Sequence, residues 1–158
     1  MKKSLVTAMF ILCLAAIAAC TMDDKLNTCV KQEESIESYI SKKFADSTVV
    51  VTEHGISRIV MVHGGGAAAQ KGDSVMFSYK GYFFSNGPGT QFAEGRIKER
   101  LGDRHMIEGL DEGMVGMMRG EEAYIAFSAR YGFFDKSTGA VNPMTPLIYY
   151  VTLENIYR

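Results

Sequence analysis

Apolar positions recur at helical spacing in one stretch near the middle of the chain and alternate at every second residue on both sides of it. From Leu101 to Gly120 the sequence reads LGDRHMIEGLDEGMVGMMRG, where Met106, Ile107, Leu110, Met114 and Met117 share a face and Gly109, Gly113 and Gly116 keep one side small. The spacing predicts a short helix from about Glu108 to Met117. A lone short helix does not bury its own apolar face, so sheet must enclose it. The flanks supply that sheet. Thr48 to Thr52 (TVVVT) and Ser57 to Val62 (SRIVMV) predict a hairpin turning at Gly55, and Ser74 to Phe84 alternates Val75, Phe77 and Tyr79 with Met76, Ser78 and Lys80. After the turn residues Ser85 to Thr90, Gln91 to Ala93 is extended; Glu122 to Phe127 places Ala123, Ile125 and Phe127 on one face, and Leu147 to Ile156 closes the set. Ser128 to Pro146 is a loop punctuated by Gly and Pro, of a length at which loops usually carry function. The pattern predicts an α+β fold, a curved antiparallel sheet wrapped around one short helix, with an extra helix at the N-terminal side.

That extra helix runs from Glu33 to Ala45, with Ile36, Tyr39, Ile40 and Phe44 on one face, acids early and Lys42 and Lys43 late, as the helix dipole favours. It is expected to dock on the domain; the sharper alternative is a helix that binds a partner. Ahead of it, Lys2 and Lys3 precede an apolar run from Leu5 to Ile17 and the small residues Ala18 and Ala19, the pattern of an export signal and too short for a mature membrane span. Ile17-Ala18-Ala19-Cys20 resembles the lipobox of bacterial lipoproteins, which implies cleavage before Cys20 and a diacylglycerol on its sulfur. An ordinary secretory signal is the alternative. Several acyl chains, each methylene adding about 0.8 kcal/mol, would hold the protein in the cell envelope, on the periplasmic face or the cell surface. The polar residues Thr21 to Gln32 suit a tether; Asp23 and Asp24 resemble an acidic surface-export signal, although a solvated linker is the simpler and favoured reading. The expected division is 1–19 signal, 20–32 tether, 33–46 amphipathic helix and 47–158 domain, with residues 1–46 dispensable for folding.

Composition narrows the chemistry. With 158 residues, 47% of them hydrophobic, the chain can form one core, and a net charge of −1 without any basic block removes the electrostatic footprint that nucleic-acid binding requires. Of three cysteines, Cys13 leaves with the signal and Cys20 takes lipid, so Cys29 stays unpaired, either buried in a helix or bridging to another molecule. His54, His63 and His105 lie in separate segments without ligand spacing, so neither a metal site nor a cofactor is expected. Gly64-Gly65-Gly66 lacks the strand-to-helix context of a phosphate loop and reads as a flexible connection, and Asp111-Glu112 reads as a solvated helix face.

From about Thr52 to the end the chain resembles the FKBP-type peptidyl-prolyl isomerases. The residues that carry the resemblance are Gly55-Ile56, Lys71-Gly72-Asp73-Ser74-Val75, Tyr79-Lys80-Gly81, Phe92, Leu101-Gly102, Met106 through Gly113, Gly120-Glu121, Tyr131-Gly132, Pro143 and Leu147-Ile148-Tyr149. The resemblance implies about five antiparallel strands over the helix and an apolar pocket between them. It implies catalytic roles for Tyr79, Phe92, Ile107 and Tyr131 and substrate contacts from Met106, Leu110, Val141 and Tyr149, the Ile107 backbone N–H holding a carbonyl. A prolyl peptide or protein is the implied partner. Four departures stand out: Ala93 where the family usually has aspartate, with Glu94 one residue late; Leu110 where its best isomerases have tryptophan; Glu99 in place of an aromatic; and a Phe127 to Gly132 segment two residues short. The expectation is therefore a membrane-tethered folding helper with weak prolyl isomerase activity. The alternatives are a non-catalytic peptide-binding lipoprotein and a structural subunit that docks through its N-terminal helix.

Overall fold

Alternation along Ser74–Phe84 (β3) decides the architecture, because its odd residues Val75, Phe77, Tyr79 and Phe83 enter one core while Tyr82 and Phe84 enter another on the opposite face. The computed structural model describes the backbone from Lys2 to Arg158 and the side chains from Thr21 onward. Its other elements are α1 (Lys2–Lys43), β1 (Val49–Val51), β2 (Ser57–Val62), β4 (Pro88–Arg100), α2 (Glu108–Gly113), β5 (Glu122–Phe127), one 3-10 turn (Ala129–Tyr131) and β6 (Leu147–Tyr157). Six strands, not about five, form one antiparallel sheet in the order β1-β2-β5-β6-β3-β4. The additional length comes from β4, where Glu94, Arg96, Lys98 and Arg100 alternate with Gly95, Ile97 and Glu99, a pattern too polar to stand out.

The inner core lies between the sheet and α2. Val75, Phe77, Ile125, Phe127, Leu147 and Leu153 meet Leu110, Met114 and Met117 there, nearly all of them inaccessible to water. Close approach is possible because α2 turns glycines toward β5: a Cβ on Gly109 would stand 2.4 Å from the Phe127 ring, and one on Gly113 would stand 2.4 Å from Ile125 Cγ2. The helix stops at Gly113, earlier than expected, and Met114 to Gly116 continue as a turn with Gly116 at φ +87°. Arg58 accounts for the stop. Its buried guanidinium donates to the carbonyls of Gly113 (3.0 Å) and Val115 (2.7 Å), and Glu121 lies 3.3 Å away as its counter-ion.

The outer core lies under α1. Ile36 and Ile40 pack on Ile59, Phe84, Ala126 and Ile148, with Tyr39 edge-on to both Phe44 and Phe84. The helix is already formed well before Glu33, so residues 21–32, expected as a polar tether, are helical. Packing explains the extension: Cys29 is fully buried, Gln32 bonds both Ala129 N–H and Met144 C=O, Glu33 accepts from Ser128, and Lys25 pairs with Asp135 at 3.0 Å. A domain lacking residues 1–46 would lose one wall of this core. The lipobox and Cys20 lie outside the residues with described side chains. Gly64 and Gly65 are held, not flexible. Gly65 bridges to Arg119, and a Cβ on Gly64 would come within 2.7 Å of two backbone carbonyls.

Candidate functional site

A cavity of about 270 Å³ opens between β4, the segment before α2, and the long loop after β5. Its walls begin with a β-bulge: Gly81 pairs with Ala93 but Tyr82 with Gln91, leaving Phe92 as the extra residue on β4. The bulge brings the consecutive residues Phe92 and Ala93 to the same cavity, which strict alternation forbids. Beyond it the alternation resumes, so Ile97 and Glu99 also face the cavity, while Glu94 lies on the other side of the sheet and accepts from Gln91.

Tyr149 on β6 holds the aromatic wall together. Phe92 meets it edge-on at 5.7 Å, Phe127 stacks behind it at 5.9 Å, and Tyr79 lies 6.1 Å away. Phe83 stacks in turn on Phe92 at 4.9 Å. Gly81 makes the cluster possible, since a Cβ there would stand 2.8 Å from the Tyr149 ring and 2.9 Å from Phe92. Burial drives the Tyr149 hydroxyl far above the ordinary tyrosine range, with Tyr79 adding to the effect, so it remains a neutral hydrogen-bond donor.

Leu110 forms the floor, and Met106 and Ile107 the entry. Their position is set by Asp111, whose Oδ1 accepts from Gly102 N–H at 2.8 Å and so ties the turn after β4 to α2. Asp111 is buried, 6% exposed, and structural, not part of a solvated face, because its carboxylate is turned to the Gly102 amide. Ile107 is the N-cap of α2, in extended conformation, and among the described residues its N–H has no acceptor. One free donor thus stands at the mouth of an aromatic pocket.

Of the residues expected in the site, Tyr79, Phe92, Met106, Ile107, Leu110 and Tyr149 come together around this cavity. Tyr131 and Val141 do not line it; both are buried in the inner core. Tyr131 ends the 3-10 turn with its ring 6.0 Å from that of His54, and Phe134 N–H closes back on Ala129 C=O, so the shortened loop presents Phe133 to the cavity instead. Phe133, Ile97 and His105 were not legible as site residues. Ile97 stood among charges, and nothing in the loop sequence fixes which aromatic turns inward. His105 and Glu99 face each other across the rim at 3.7 Å.

The interior offers apolar and aromatic surface that includes Tyr149, the Ile107 amide stands at the mouth, and carboxylate and imidazole lie at the rim. Such an interior suits an uncharged, carbonyl-bearing apolar segment, and the ionisable groups that line the cavity are Glu99 and His105 at its rim. The sequence profile of the family described as FKBP-type peptidyl-prolyl cis-trans isomerase matches residues 65–154. FK506-binding protein 1 of Aspergillus oryzae is 29% identical over 114 residues, an alignment covering 65% of this chain and 98% of that protein. In fold, the chain is similar to a peptidyl-prolyl cis-trans isomerase from Pseudomonas syringae, with a TM-score of 0.66 at 16% identity over 84% of this chain and 95% of the other. It is similar also to FkpA from Escherichia coli, with a TM-score of 0.64 at 19% identity over 96% of this chain and 71% of that one. The profile spans more than half of the sequence and includes the cavity from Tyr79 to Tyr149: the chain belongs to the FKBP-type peptidyl-prolyl cis-trans isomerase family.

Proposed function

We propose that the protein is a prolyl isomerase of low turnover that assists folding in the cell envelope, held to a membrane by lipid on Cys20. The observation that carries the catalytic part is the aromatic cavity with the Ile107 N–H at its mouth. A peptide bond rotates through a twisted state that has lost its resonance, behind a barrier of about 18 to 20 kcal/mol. That state is less polar than the planar amide, so transfer from water to a dry cavity disfavours the ground state more. The Ile107 amide would hold the carbonyl of the bound segment. A thousandfold acceleration requires about 4 kcal/mol, within reach of desolvation and one or two hydrogen bonds.

Low turnover follows from what the cavity lacks. Ala93 stands on the wall where the resemblance implies an acid, Leu110 forms the floor in place of an indole, and Tyr131 is turned inward. Two or three lost contacts, each about 1 to 2 kcal/mol at the transition state, would remove most of a thousandfold rate enhancement. The same losses favour the second reading, a binding module that retains peptides without turning them over. An exchange measurement on a short Leu-Pro peptide distinguishes the two. Slow catalysis by the natural chain, rising at least tenfold in the double variant Ala93→Asp with Leu110→Trp, is the expected result; binding without any catalysis in either form would establish the module. For the tether, intact mass of the mature protein should show an N-terminal Cys20 carrying acyl chains, and an unmodified Cys20 would refute it.

A further inference from the structure

We propose that His54, Glu108 and Glu112 form a site for a divalent transition-metal ion, with zinc as the ion whose chemistry fits. One imidazole nitrogen and one carboxylate oxygen from each glutamate all lie within 4.8 Å of one another. The two glutamates are four apart on α2 and so share its solvent side, and His54 reaches them from the turn between β1 and β2. His54 Nδ1 is already 2.6 Å from Glu112 Oε2. Among the described residues the Glu108 carboxylate makes no hydrogen bond or salt bridge, and its charge favours the protonated imidazole of His54.

A plain surface pair of His54 and Glu112 would need no third acid. Glu108 is what turns the pair into a chelating set. A zinc ion about 2.0 to 2.2 Å from each donor requires donor separations of roughly 3 to 3.5 Å, so the ion would displace the proton of the 2.6 Å His54–Glu112 hydrogen bond and part those two groups slightly, while the exposed Glu108 side chain rotates inward to close the set. Three protein ligands with water in the fourth position complete a tetrahedron. The imidazole makes the set a poor one for magnesium or calcium, which take oxygen ligands. The surroundings are mixed in charge: Glu53 adds negative potential beside His54, while Lys71 borders the hollows on both sides of Glu112. The Tyr131 ring backs the imidazole. A bound ion would fasten the β1–β2 turn to α2, the helix that carries Leu110 and follows Ile107.

The test is calorimetric titration of the full chain with zinc chloride, and with cobalt chloride followed by its visible spectrum. Expected are one ion per chain, four-coordinate cobalt absorption, and a thermal midpoint that rises with zinc. His54→Gln and Glu108→Gln should each weaken binding at least tenfold, and Glu53→Gln no more than about twofold. Glu108→Gln is the decisive variant, because among the described residues the Glu108 carboxylate makes no hydrogen bond or ion pair whose loss would disturb the fold. Zinc binding that survives both His54→Gln and Glu108→Gln, whether held by His63, His105 or a thiol, overturns the proposal, as does no binding at 100-fold excess over chain, on the order of the range in which ligand linkage is measurable. None of these readouts depends on isomerase activity.

Discussion

At the scale of single residues, the site depends on the absence of a side chain as much as on the presence of several. Gly81 sits where Tyr149 and Phe92 converge, and a methyl group there would stand within 2.8 and 2.9 Å of the two rings. Gly81→Ala should therefore push the rings apart, destabilise the protein by about 1 to 3 kcal/mol and weaken peptide binding in parallel. Denaturant unfolding and a peptide titration check this, with Gly65→Ala as the control, since a Cβ at Gly65 meets nothing within 4 Å. A silent Gly81→Ala would mean that the aromatic cluster is looser than its geometry indicates.

Between elements, Arg58 joins β2 to the end of α2 and to Glu121 before β5. Both side chains are almost wholly buried, 8% and 7% exposed, so neither charge is compensated by water if the other is removed. Burial lowers the Arg58 pKa from its usual value and the Glu121 charge opposes that change, yet arginine stays protonated across the working range. Arg58→Ala would strand Glu121 and expose the need of two helix-terminal carbonyls for donors. A loss of about 3 to 5 kcal/mol is expected, read as a shift of the urea midpoint. A second link between elements is sensitive to acid. The hydrogen bond from Lys25 on α1 holds the Asp135 carboxyl below its ordinary pKa. The folded state thus gains from this pair above the unfolded carboxylate value of about 3.9, and the gain disappears as pH falls through the lower folded value. Carboxyl NMR should find Asp135 titrating below a free aspartate, and Lys25→Met should return it upward.

For the whole molecule, α1 closes the outer face of the sheet and braces the loop that supplies Phe133 to the cavity. Removing residues 1–46 would uncover Ile59, Phe84, Ala126 and Ile148 together. Ile36, Ile40 and Cys29 are each at most 8% exposed, and losing the burial of a large aliphatic chain costs about 1.5 to 3 kcal/mol, so the total is a large part of the 5 to 15 kcal/mol typical of a domain. The truncated domain should melt more than about 10 °C lower than the full chain, or aggregate; unchanged melting would show that the inner core suffices.

Local patterning determined the elements, because alternation and helical spacing are consequences of which side of a strand or helix is buried. β2, β3, β5, β6 and α2 were legible for that reason, and the pocket residues Tyr79, Phe92, Met106, Ile107, Leu110 and Tyr149 through the motif they share with a family. What the pattern could not decide is anything set by contact between distant segments. Residues 21–32 looked like a linker because their helix is justified only by what Cys29, Gln32 and Lys25 touch. The bulge at Phe92 depends on the register of a partner strand, and the inward turn of Tyr131 on how a loop closes against Ala129. His54 lay far in sequence from Glu108 and Glu112, and only the packing of a hairpin turn against α2 brought the three together. Periodicity reports burial along one element; the meeting of side chains from different elements is a property of the folded chain alone.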